Sequence, residues 1–367
     1  MKILALPKKD NFQIFSKFEI PKIAIIIAAY NEEKVIKEKI ESTLKTNYPK
    51  NLFQIFIGSD NSTDKTNEII TSFANKTDKI TFKNFTERGG KQEVLNKLFE
   101  DLVPKNEFDI YIMTDANIIF EEDTLYHLIK HFKNKEIGIV CGNIKNKNIK
   151  ERGISKQEQF YISNENNLKI NEGKVFGSSI AAFGACYSIR RELVPKIPKN
   201  ILMEDFFISM SVLEKGKQII TEAAAICFED LPETISEEFK RKKRISTGNF
   251  QNLAIYFPFL FKSKFGISFS FLSHKIIRWI GPFLLIFAYL SLWYLRIHPF
   301  YNNLLLFSHF ILFLAILDYI LMLININVNL LRFIRYFLVM NMALLIGFFK
   351  YAQGVKTNIW QPTKRNE

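Results

Sequence analysis

The residues KIAIIIAA at positions 22–29 decide the fold of the chain. An unbroken apolar run rich in β-branched side chains is typical of a strand that is buried on both faces of a parallel sheet. In the segment that follows, Ile36, Ile40 and Leu44 stand four residues apart, and this spacing predicts a helix with one apolar face. The sequence FQIFIGS at 53–59 then predicts a second strand. This alternation continues along the chain and predicts an α/β fold, with a mostly parallel sheet and helices on both faces.

Polar residues follow the predicted strands at the sheet edge where α/β folds bind their ligands. Asn31 and Glu32 come directly after the first strand, Asp60 follows the second, and Asp115 ends a later strand, DIYIMTD. The sequence contains neither a GxGxxG after the first strand nor a GxxxxGK[ST]. A dinucleotide-dependent oxidoreductase therefore has no support, and a P-loop nucleoside triphosphatase is excluded.

The net charge of +13 is concentrated in one part of the 367-residue chain. From Phe239 onwards there are sixteen Lys and Arg residues but only two acids, Asp318 and Glu367, so the part before Phe239 is close to neutral. The basic residues flank the most apolar segments, an arrangement that indicates an anionic membrane surface rather than nucleic acid. The three Cys residues form no CxxC pair, which excludes a disulfide framework and a thiolate zinc site.

Two apolar segments, 276–296 and 304–323, are each long enough to cross a bilayer. Trp279 and Trp293 lie near the ends of the first segment, where interfacial aromatic residues belong. The segment 330–350 has a shorter uncharged stretch, so we expect it to lie at the membrane surface or to re-enter it rather than to cross fully. No secretory signal is recognisable at the start of the sequence, which predicts a multi-pass protein of the cell (inner) membrane with a cytoplasmic N-terminal part.

The chain is expected to have four parts. These are a cytoplasmic α/β domain at 1–249, an interfacial amphipathic segment at 250–275, a membrane region at 276–350 and a basic tail at 351–367. Residues 250–271 contain seven Phe residues together with Lys262 and Lys264. This combination favours a segment that lies among lipid headgroups, and the alternative is an ordinary core helix.

Seven short motifs together resemble glycosyltransferase family 2. They are AAYNEE (28–33), SDNSTDKT (59–66), RGGKQEVLNK (88–97), TDAN (114–117), GACYSIRREL (184–193), MED (203–205) and RKKRISTGN (241–249). The resemblance covers residues 20–260 and is to the membrane-bound branch that contains the synthases of cellulose, hyaluronan and poly-N-acetylglucosamine. It implies a GT-A fold and an inverting enzyme that moves a sugar from a nucleotide-sugar, a UDP-sugar, to a saccharide acceptor in polysaccharide synthesis.

The resemblance also implies that residues from several motifs hold the donor. Asp60 would bind the nucleotide together with Tyr30, Glu32 and Lys91, and Arg241 would contribute from the last motif. The alternative for Asp60 and its neighbours is a polar turn that leads into a helix.

Asp115 and Asn117 would hold a divalent ion. They correspond to the DxD motif of the family, with Asn in the second acidic position. Carboxylate and amide oxygens suit Mg²⁺ or Mn²⁺, which commonly bind through one or two carboxylates together with substrate phosphates. A turn after a strand is the alternative, and the missing second carboxylate predicts weaker binding of the metal.

The sequence Met203-Glu204-Asp205 resembles the TED motif of the family, whose Asp is the general base. Asp205 would therefore remove the proton from the attacking sugar hydroxyl. By the same resemblance Glu204, Gly184 and Ala185 would lie on the acceptor side. The alternative for the two acids is a helix start, where the helix dipole favours carboxylates.

The cluster at 241–244 stands where the family has QxxRW, and of these three residues only Arg244 matches, since Arg241 replaces Gln and Ile245 replaces Trp. Cations here would stabilise the leaving diphosphate, and a solvated or lipid-facing cluster is the alternative. The family's Trp contributes to the acceptor site of processive synthases, so the acceptor is less well defined than the donor.

Two other functions stay open at this point. One is the transfer of a single sugar to a lipid or lipid-linked acceptor, and the other is a catalytically silent membrane scaffold that binds nucleotide. Three membrane segments are few for a polysaccharide channel, so export or oligomeric partners are expected, and a nucleic-acid partner is not.

Overall fold

The computed structural model describes residues 14–17, 19–147, 154–230 and 234–355. The strands are β1 (Ile23–Ala29), β2 (Phe53–Ser59), β3 (Ile80–Asn84), β4 (Ile110–Thr114), β5 (Ile119–Phe120), β6 (Ile137–Asn146), β7 (Cys186–Arg190) and β8 (Gln218–Glu229). The helices before the apolar segments are α1 (Ile36–Leu44), α2 (Thr66–Ala74), α3 (Lys91–Lys97), α4 (Thr124–Ile129), α5 (Ser155–Phe176), α6 (Glu204–Glu214) and α7 (Ile235–Tyr256). The remaining helices are α8 (Phe259–Lys262), α9 (Phe265–Ser270), α10 (Ile277–Tyr294), α11 (Pro299–Leu323) and α12 (Asn329–Ala352).

All eight strands belong to one sheet, in the order β3-β2-β1-β4-β7-β6-β8-β5. The first four strands are parallel, as the sequence predicts, and β6 is parallel to β8. The strand β7 runs antiparallel to both β4 and β6, and β5 is antiparallel to β8. The α/β fold is therefore confirmed, and the sheet is mixed because β7 reverses direction at its centre.

The strand β1 is buried along its whole length, which confirms the interpretation of KIAIIIAA. Ala24 and Ile26 pack into the core on one face of the sheet, and Ile23, Ile25 and Ile27 pack into the core on the other. The sheet is thus covered on both sides, as a parallel α/β sheet requires.

The helices α9 and α10 are joined by a π-helical turn, Phe271–Ile276, into one long apolar helix. This helix, α11 and α12 are long and apolar enough to cross a membrane, by length and composition. The third is longer than its uncharged stretch suggests, because it includes Arg332 and Arg335. Both arginines are buried beside Asp318 of α11, whose carboxylate balances one of the two positive charges. Whether α12 crosses the membrane or lies along it stays a prediction.

The expected boundary at residue 249 lies inside α7, and α7 packs along α12. Ser246 Oγ donates a hydrogen bond to the Leu344 carbonyl (2.7 Å), and Thr247 Oγ1 donates one to the Gly347 carbonyl (3.1 Å). Gly347 permits this approach, because a Cβ there would lie 2.4 Å from Ser246 Cβ. The helix α7, which follows the sheet, and the apolar helix α12 are therefore joined by direct packing.

The Phe-rich segment, residues 250–271, agrees in part with a position among lipid headgroups and in part with a core helix. Phe250, Phe259 and Phe271 are buried in the core. The other four are exposed: Phe257, Phe261, Phe265 and Phe269. The exposed rings suit the predicted position among headgroups. The buried rings attach the segment to the core of the α/β part. From residue 356 onwards the predicted basic tail lies outside the described residues.

Candidate active site

A cavity of about 1230 Å³ lies at the sheet edge where β1 and β4 end and β7 begins. It brings together ten of the twelve residues that the sequence singles out. They are Glu32, Lys91, Asp115, Asn117, Gly184, Ala185, Glu204, Asp205, Arg241 and Arg244. Tyr30 and Asp60 are not among the residues that line this cavity.

Asp205 lies in the first turn of α6, and 9% of the residue is exposed. Its Oδ1 accepts a hydrogen bond of 2.8 Å from Phe206 N. Burial, together with the charge of the adjacent Glu204, raises the pKa of Asp205 to about 6. A carboxylate with this pKa is mostly deprotonated at neutral pH and is suited to accept a proton from a hydroxyl.

Gly184 allows the Asp205 carboxylate to occupy this position. A Cβ at residue 184 would lie 2.4 Å from Asp205 Oδ2, closer than real Cβ atoms approach any atom. The carbonyl of the next residue, Ala185, accepts a hydrogen bond of 3.1 Å from Asp115 N. Residues 184 and 185 therefore contact both Asp205 and the end of β4, while their role toward an acceptor stays a prediction.

Lys91 links two carboxylates across the cavity. Its Nζ lies 2.7 Å from Asp115 Oδ1 and 2.6 Å from Glu204 Oε1. Burial opposes the charge of the lysine, but the carboxylates of Asp115 and Glu204 outweigh burial and raise the pKa of Lys91. Lys91 is therefore a fixed positive charge beside the residues predicted to hold the metal and the acceptor.

Oxygen atoms that could hold a divalent ion lie on one wall of the cavity. Asp115 is partly exposed to it, and Asn117 donates a hydrogen bond from Nδ2 to Glu229 Oε1 (3.4 Å). Glu229, the last residue of β8, also lines the cavity. In the part of the chain that the structure describes, no group of three or more His, Cys, Asp or Glu is placed to hold a metal ion. These hard oxygens fit Mg²⁺ or Mn²⁺ in the manner of sites that complete their coordination with substrate phosphates.

The two arginines of the basic cluster differ in their surroundings. Arg241 lies 3.5 Å from Glu238 Oε2 and 3.8 Å from Glu229 Oε1. Arg244 is exposed to the cavity, and among the described residues it forms neither an ion pair nor a hydrogen bond. Arg244 is thus a cation that an anionic ligand could reach without displacing a protein carboxylate.

Asp60 and Tyr30 support a turn beside the cavity. Asp60 is fully buried, and its carboxylate accepts hydrogen bonds from Gly89 N (2.8 Å) and Gly90 N (3.1 Å). Arg88 lies 3.6 Å from the same carboxylate, and its guanidinium lies 3.4 Å from the centre of the Tyr30 ring. In this conformation Asp60 positions the turn that leads into α3. Direct contact of Asp60 or Tyr30 with a nucleotide stays a prediction.

Sequence reasoning missed the acidic face of α5, which forms another wall of the cavity. Glu158, Glu165 and Glu172 stand seven residues apart, so they share one face of the helix, and all three are buried. Glu165 lies 2.7 Å from Lys275 Nζ and 2.8 Å from Arg278 NH1. Burial disfavours its charge, but these cations hold the pKa of Glu165 well below its usual value. The seven-residue spacing indicates that the three acids share one face of a helix, but it does not indicate that this face is buried.

Comparisons with known proteins agree with this arrangement. Residues 24–197 match the family described as glycosyl transferase family 2. The chain is 28% identical over 242 residues to a probable glycosyltransferase, YdaM, of Bacillus subtilis, which covers 63% of this chain and 56% of the relative. It is 27% identical over 266 residues to the poly-β-1,6-N-acetyl-D-glucosamine synthase of Staphylococcus aureus, which covers 71% of this chain and 61% of the relative. The chain thus matches less than two thirds of the length of each relative.

The fold is shared with a mannosyltransferase, PcManGT of Pyrobaculum calidifontis, whose structure was determined in complex with GDP-Man and Mn²⁺. The two chains superpose with a TM-score of 0.70 over 94% of this chain and 91% of that one, at 18% identity. This likeness extends over the apolar helices as well as the sheet. The motifs, the family match over residues 24–197 and the shared architecture agree: the chain has a GT-A-like fold, and this region is similar to glycosyltransferase family 2.

Proposed function

We propose that the chain is an inverting glycosyltransferase that moves a sugar from a nucleotide-sugar to a hydroxyl group of an acceptor. The observation that carries the proposal is the convergence of Asp205, Asp115, Lys91 and Arg244 in one cavity. A transfer of this kind needs a base for the acceptor hydroxyl and positive charge for the departing diphosphate. The cavity offers both kinds of group on its walls.

In the proposed reaction Asp205 takes the proton from the acceptor hydroxyl as its oxygen attacks the anomeric carbon. The bond between that carbon and the diphosphate breaks on the opposite face, so the configuration at the carbon is inverted. Arg244 stabilises the negative charge that develops on the leaving diphosphate, and among the described residues no carboxylate lies within ion-pair distance of it. Lys91 holds Asp115 and Glu204 in place and adds a second positive charge.

Asp115 and Asn117, with Glu229 beside them, would hold Mg²⁺ or Mn²⁺ together with the donor phosphates. When bound, the ion would supply further charge stabilisation for the departing diphosphate. The structural relative was determined with Mn²⁺, which supports a divalent ion for this fold. We further propose that the apolar helices place the cavity at the cytoplasmic surface of the cell membrane, where nucleotide-sugars are available.

The test is nucleotide release and sugar transfer by membranes that contain the full chain. The donors offered should include UDP-sugars, which the sequence predicts, and GDP-mannose, which the structural relative binds. Asp205→Asn should lose transfer. Asp78→Asn changes an exposed carboxylate that does not line the cavity, so it should retain transfer. A chain that binds nucleotide but releases none with any donor would instead be the silent scaffold. The anomeric configuration of the product, read by NMR, decides between inversion and retention.

A further inference from the structure

The cavity extends beyond the catalytic groups into the apolar helices. On α10 it is lined by residues at the helical spacing of three and four, namely Ile277, Gly281, Leu284, Leu285 and Ala288. On α12 it is lined by Phe333, Tyr336, Phe337, Met340, Asn341 and Leu344, which have the same spacing. Each set forms one face of its helix. The stretch of α10 from Ile277 to Ala288 is about 16 Å long at 1.5 Å per residue. We call this part of the cavity the apolar arm.

We propose that the apolar arm holds the hydrocarbon chain of a membrane lipid whose head group carries the accepting hydroxyl. This inference rests on the proposed glycosyltransferase function and specifies its acceptor. It favours the transfer of sugar to a lipid over the extension of a free polysaccharide.

The lining of the apolar arm suits hydrocarbon and not sugar. Beyond Arg278, the α10 and α12 residues that line it carry no charge. Its two polar side chains already have partners, because the Tyr336 hydroxyl donates a hydrogen bond to Glu158 and Asn341 Nδ2 donates one to the Phe337 carbonyl (2.9 Å). A saccharide here would lose hydrogen bonds to water without replacing them, which is costly for each hydroxyl. An alkyl or isoprenyl chain has no such requirement.

Several side chains that line the apolar arm are not covered by the rest of the described chain. Leu284 and Leu285 of α10 are 48% and 44% exposed, and Phe337 of α12 is 53% exposed. All three line the cavity and belong to helices long and apolar enough to cross a membrane. The helices are joined elsewhere by Phe283 and Phe348, whose rings meet edge to face at 4.9 Å. A lipid could therefore enter sideways between α10 and α12 without leaving the membrane.

The charged groups lie where the head group would be. Lys275 and Arg278, at the start of the apolar arm, are held by Glu165 and mark the change from apolar to polar lining. Asp205 lines the polar end of the same cavity. The volume of about 1230 Å³ exceeds the roughly 300–1,000 Å³ of a pocket for one small ligand, so donor and lipid head group can be present together.

The first experiment follows the labelled sugar. The full chain, reconstituted in bilayer nanodiscs with total membrane lipid, receives radiolabelled donors, and the products are divided between organic solvent and water. We expect label in the organic phase as a glycolipid. Label found only in a water-soluble polymer, with nothing in the organic phase at any time, would overturn the proposal.

A matched pair of variants tests the apolar arm itself. Gly281→Phe fills it from a position where an added Cβ would have room, with Asn341 Oδ1 at 3.8 Å. Leu290→Phe adds a ring to the same helix at an exposed position outside the cavity lining. Gly281→Phe should reduce lipid glycosylation by at least about tenfold, since overpacking excludes the hydrocarbon chain, and Leu290→Phe should not. Ala288 is exposed and lies at the far end of the apolar arm. Ala288→Phe therefore narrows the apolar arm in a variant that is expected to fold. Equal glycosylation by all three variants would contradict the proposal.

A photoreactive probe separates this inference from the proposed function. The probe is a long-chain primary alcohol with a diazirine next to its hydroxyl, added to the nanodiscs without donor. Crosslinks to peptides that contain Asp205, lost in Gly281→Phe and kept in Leu290→Phe, would support lipid binding even if no donor were turned over. Crosslinks confined to outward-facing positions such as Phe287 would refute it, whatever the chain does with nucleotide-sugars.

Discussion

Replacing Gly184 with Ala should displace the proposed base. The new Cβ would lie 2.4 Å from Asp205 Oδ2 and 2.9 Å from its Cγ, whereas ordinary contact begins near 3.4 Å. The carboxylate would therefore have to move by about 1 Å. A displacement of about 1 Å at a reacting group can cost ~10²-fold in rate. We expect kcat for sugar transfer to fall by about that factor, with donor affinity within about twofold of the original protein because Arg244 and Asp115 are unchanged.

The assay combines steady-state transfer, equilibrium binding of the donor nucleotide and a thermal melt of the full chain in nanodiscs. Gly173→Ala is the matched control, because a Cβ there meets nothing within 4 Å. It should retain transfer and gain a little stability, since Ala is the better helix former. Normal transfer by Gly184→Ala, with the protein folded, would show that the position of the Asp205 carboxylate does not matter and would remove Asp205 from the role of base.

Further outcomes test the proposed base, its neighbour Glu204 and the residues proposed to hold the metal. Asp205→Asn should reduce transfer by ~10²–10⁴-fold at unchanged donor affinity, and near-normal transfer would refute general base catalysis. Because the base must be deprotonated, kcat/KM should fall as the pH is lowered through about 6. Glu204→Gln removes a charge that raises the pKa of Asp205, so it should move this fall to lower pH, and an unchanged profile would exclude the coupling. EDTA should abolish transfer and Mn²⁺ restore it. Asp115→Ala should not be restored, whereas Asn117→Asp should need less Mn²⁺, and full turnover in EDTA would show that cations of the chain suffice.

The fold could be predicted from the sequence because its signals are local. A continuous apolar run such as Ile23–Ala29 has few alternatives to a buried parallel strand, and the structure buries all of it. The direction of β7 was not predictable in the same way, since its pairing with β4 joins residues far apart along the chain.

The burial of Lys39 was also not predictable from the sequence. The lysine stands beside Ile40 on α1, donates a hydrogen bond to Thr114 Oγ1 (3.0 Å), and lies 3.4 Å from the centre of the Phe120 ring. Burial lowers the pKa of this lysine to about 8.

The candidate site could be predicted where polar residues end strands or begin helices. Asp115 follows β4 and Asp205 lies in the first turn of α6, and both line the cavity. Asp60 shows the limit of this reasoning. Residue type and position at a strand end do not reveal that its two oxygens are already occupied by the backbone of residues 89 and 90. Whether a strand-end carboxylate faces a ligand or a turn depends on contacts that only the folded chain defines.

The acidic face of α5 explains why the α/β part and the apolar helices cannot be treated as separate units. A helix whose buried face carries Glu158, Glu165 and Glu172 has the hydropathy pattern of a solvated helix, so periodicity gives no sign that it is buried. Several side chains that contact these acids lie beyond residue 240, in α7 and in the long apolar helix. His274 Nδ1 lies 2.8 Å from Glu172, and Lys242 Nζ lies 3.7 Å from Glu158. Removing one partner of a buried ion pair costs about 3–5 kcal/mol, because the other charge stays buried without compensation. A chain cut near residue 249 would lose Lys275 and Arg278 from Glu165 and His274 from Glu172 together. The same contacts that position the wall of the cavity therefore also make the apolar helices part of the same folded unit.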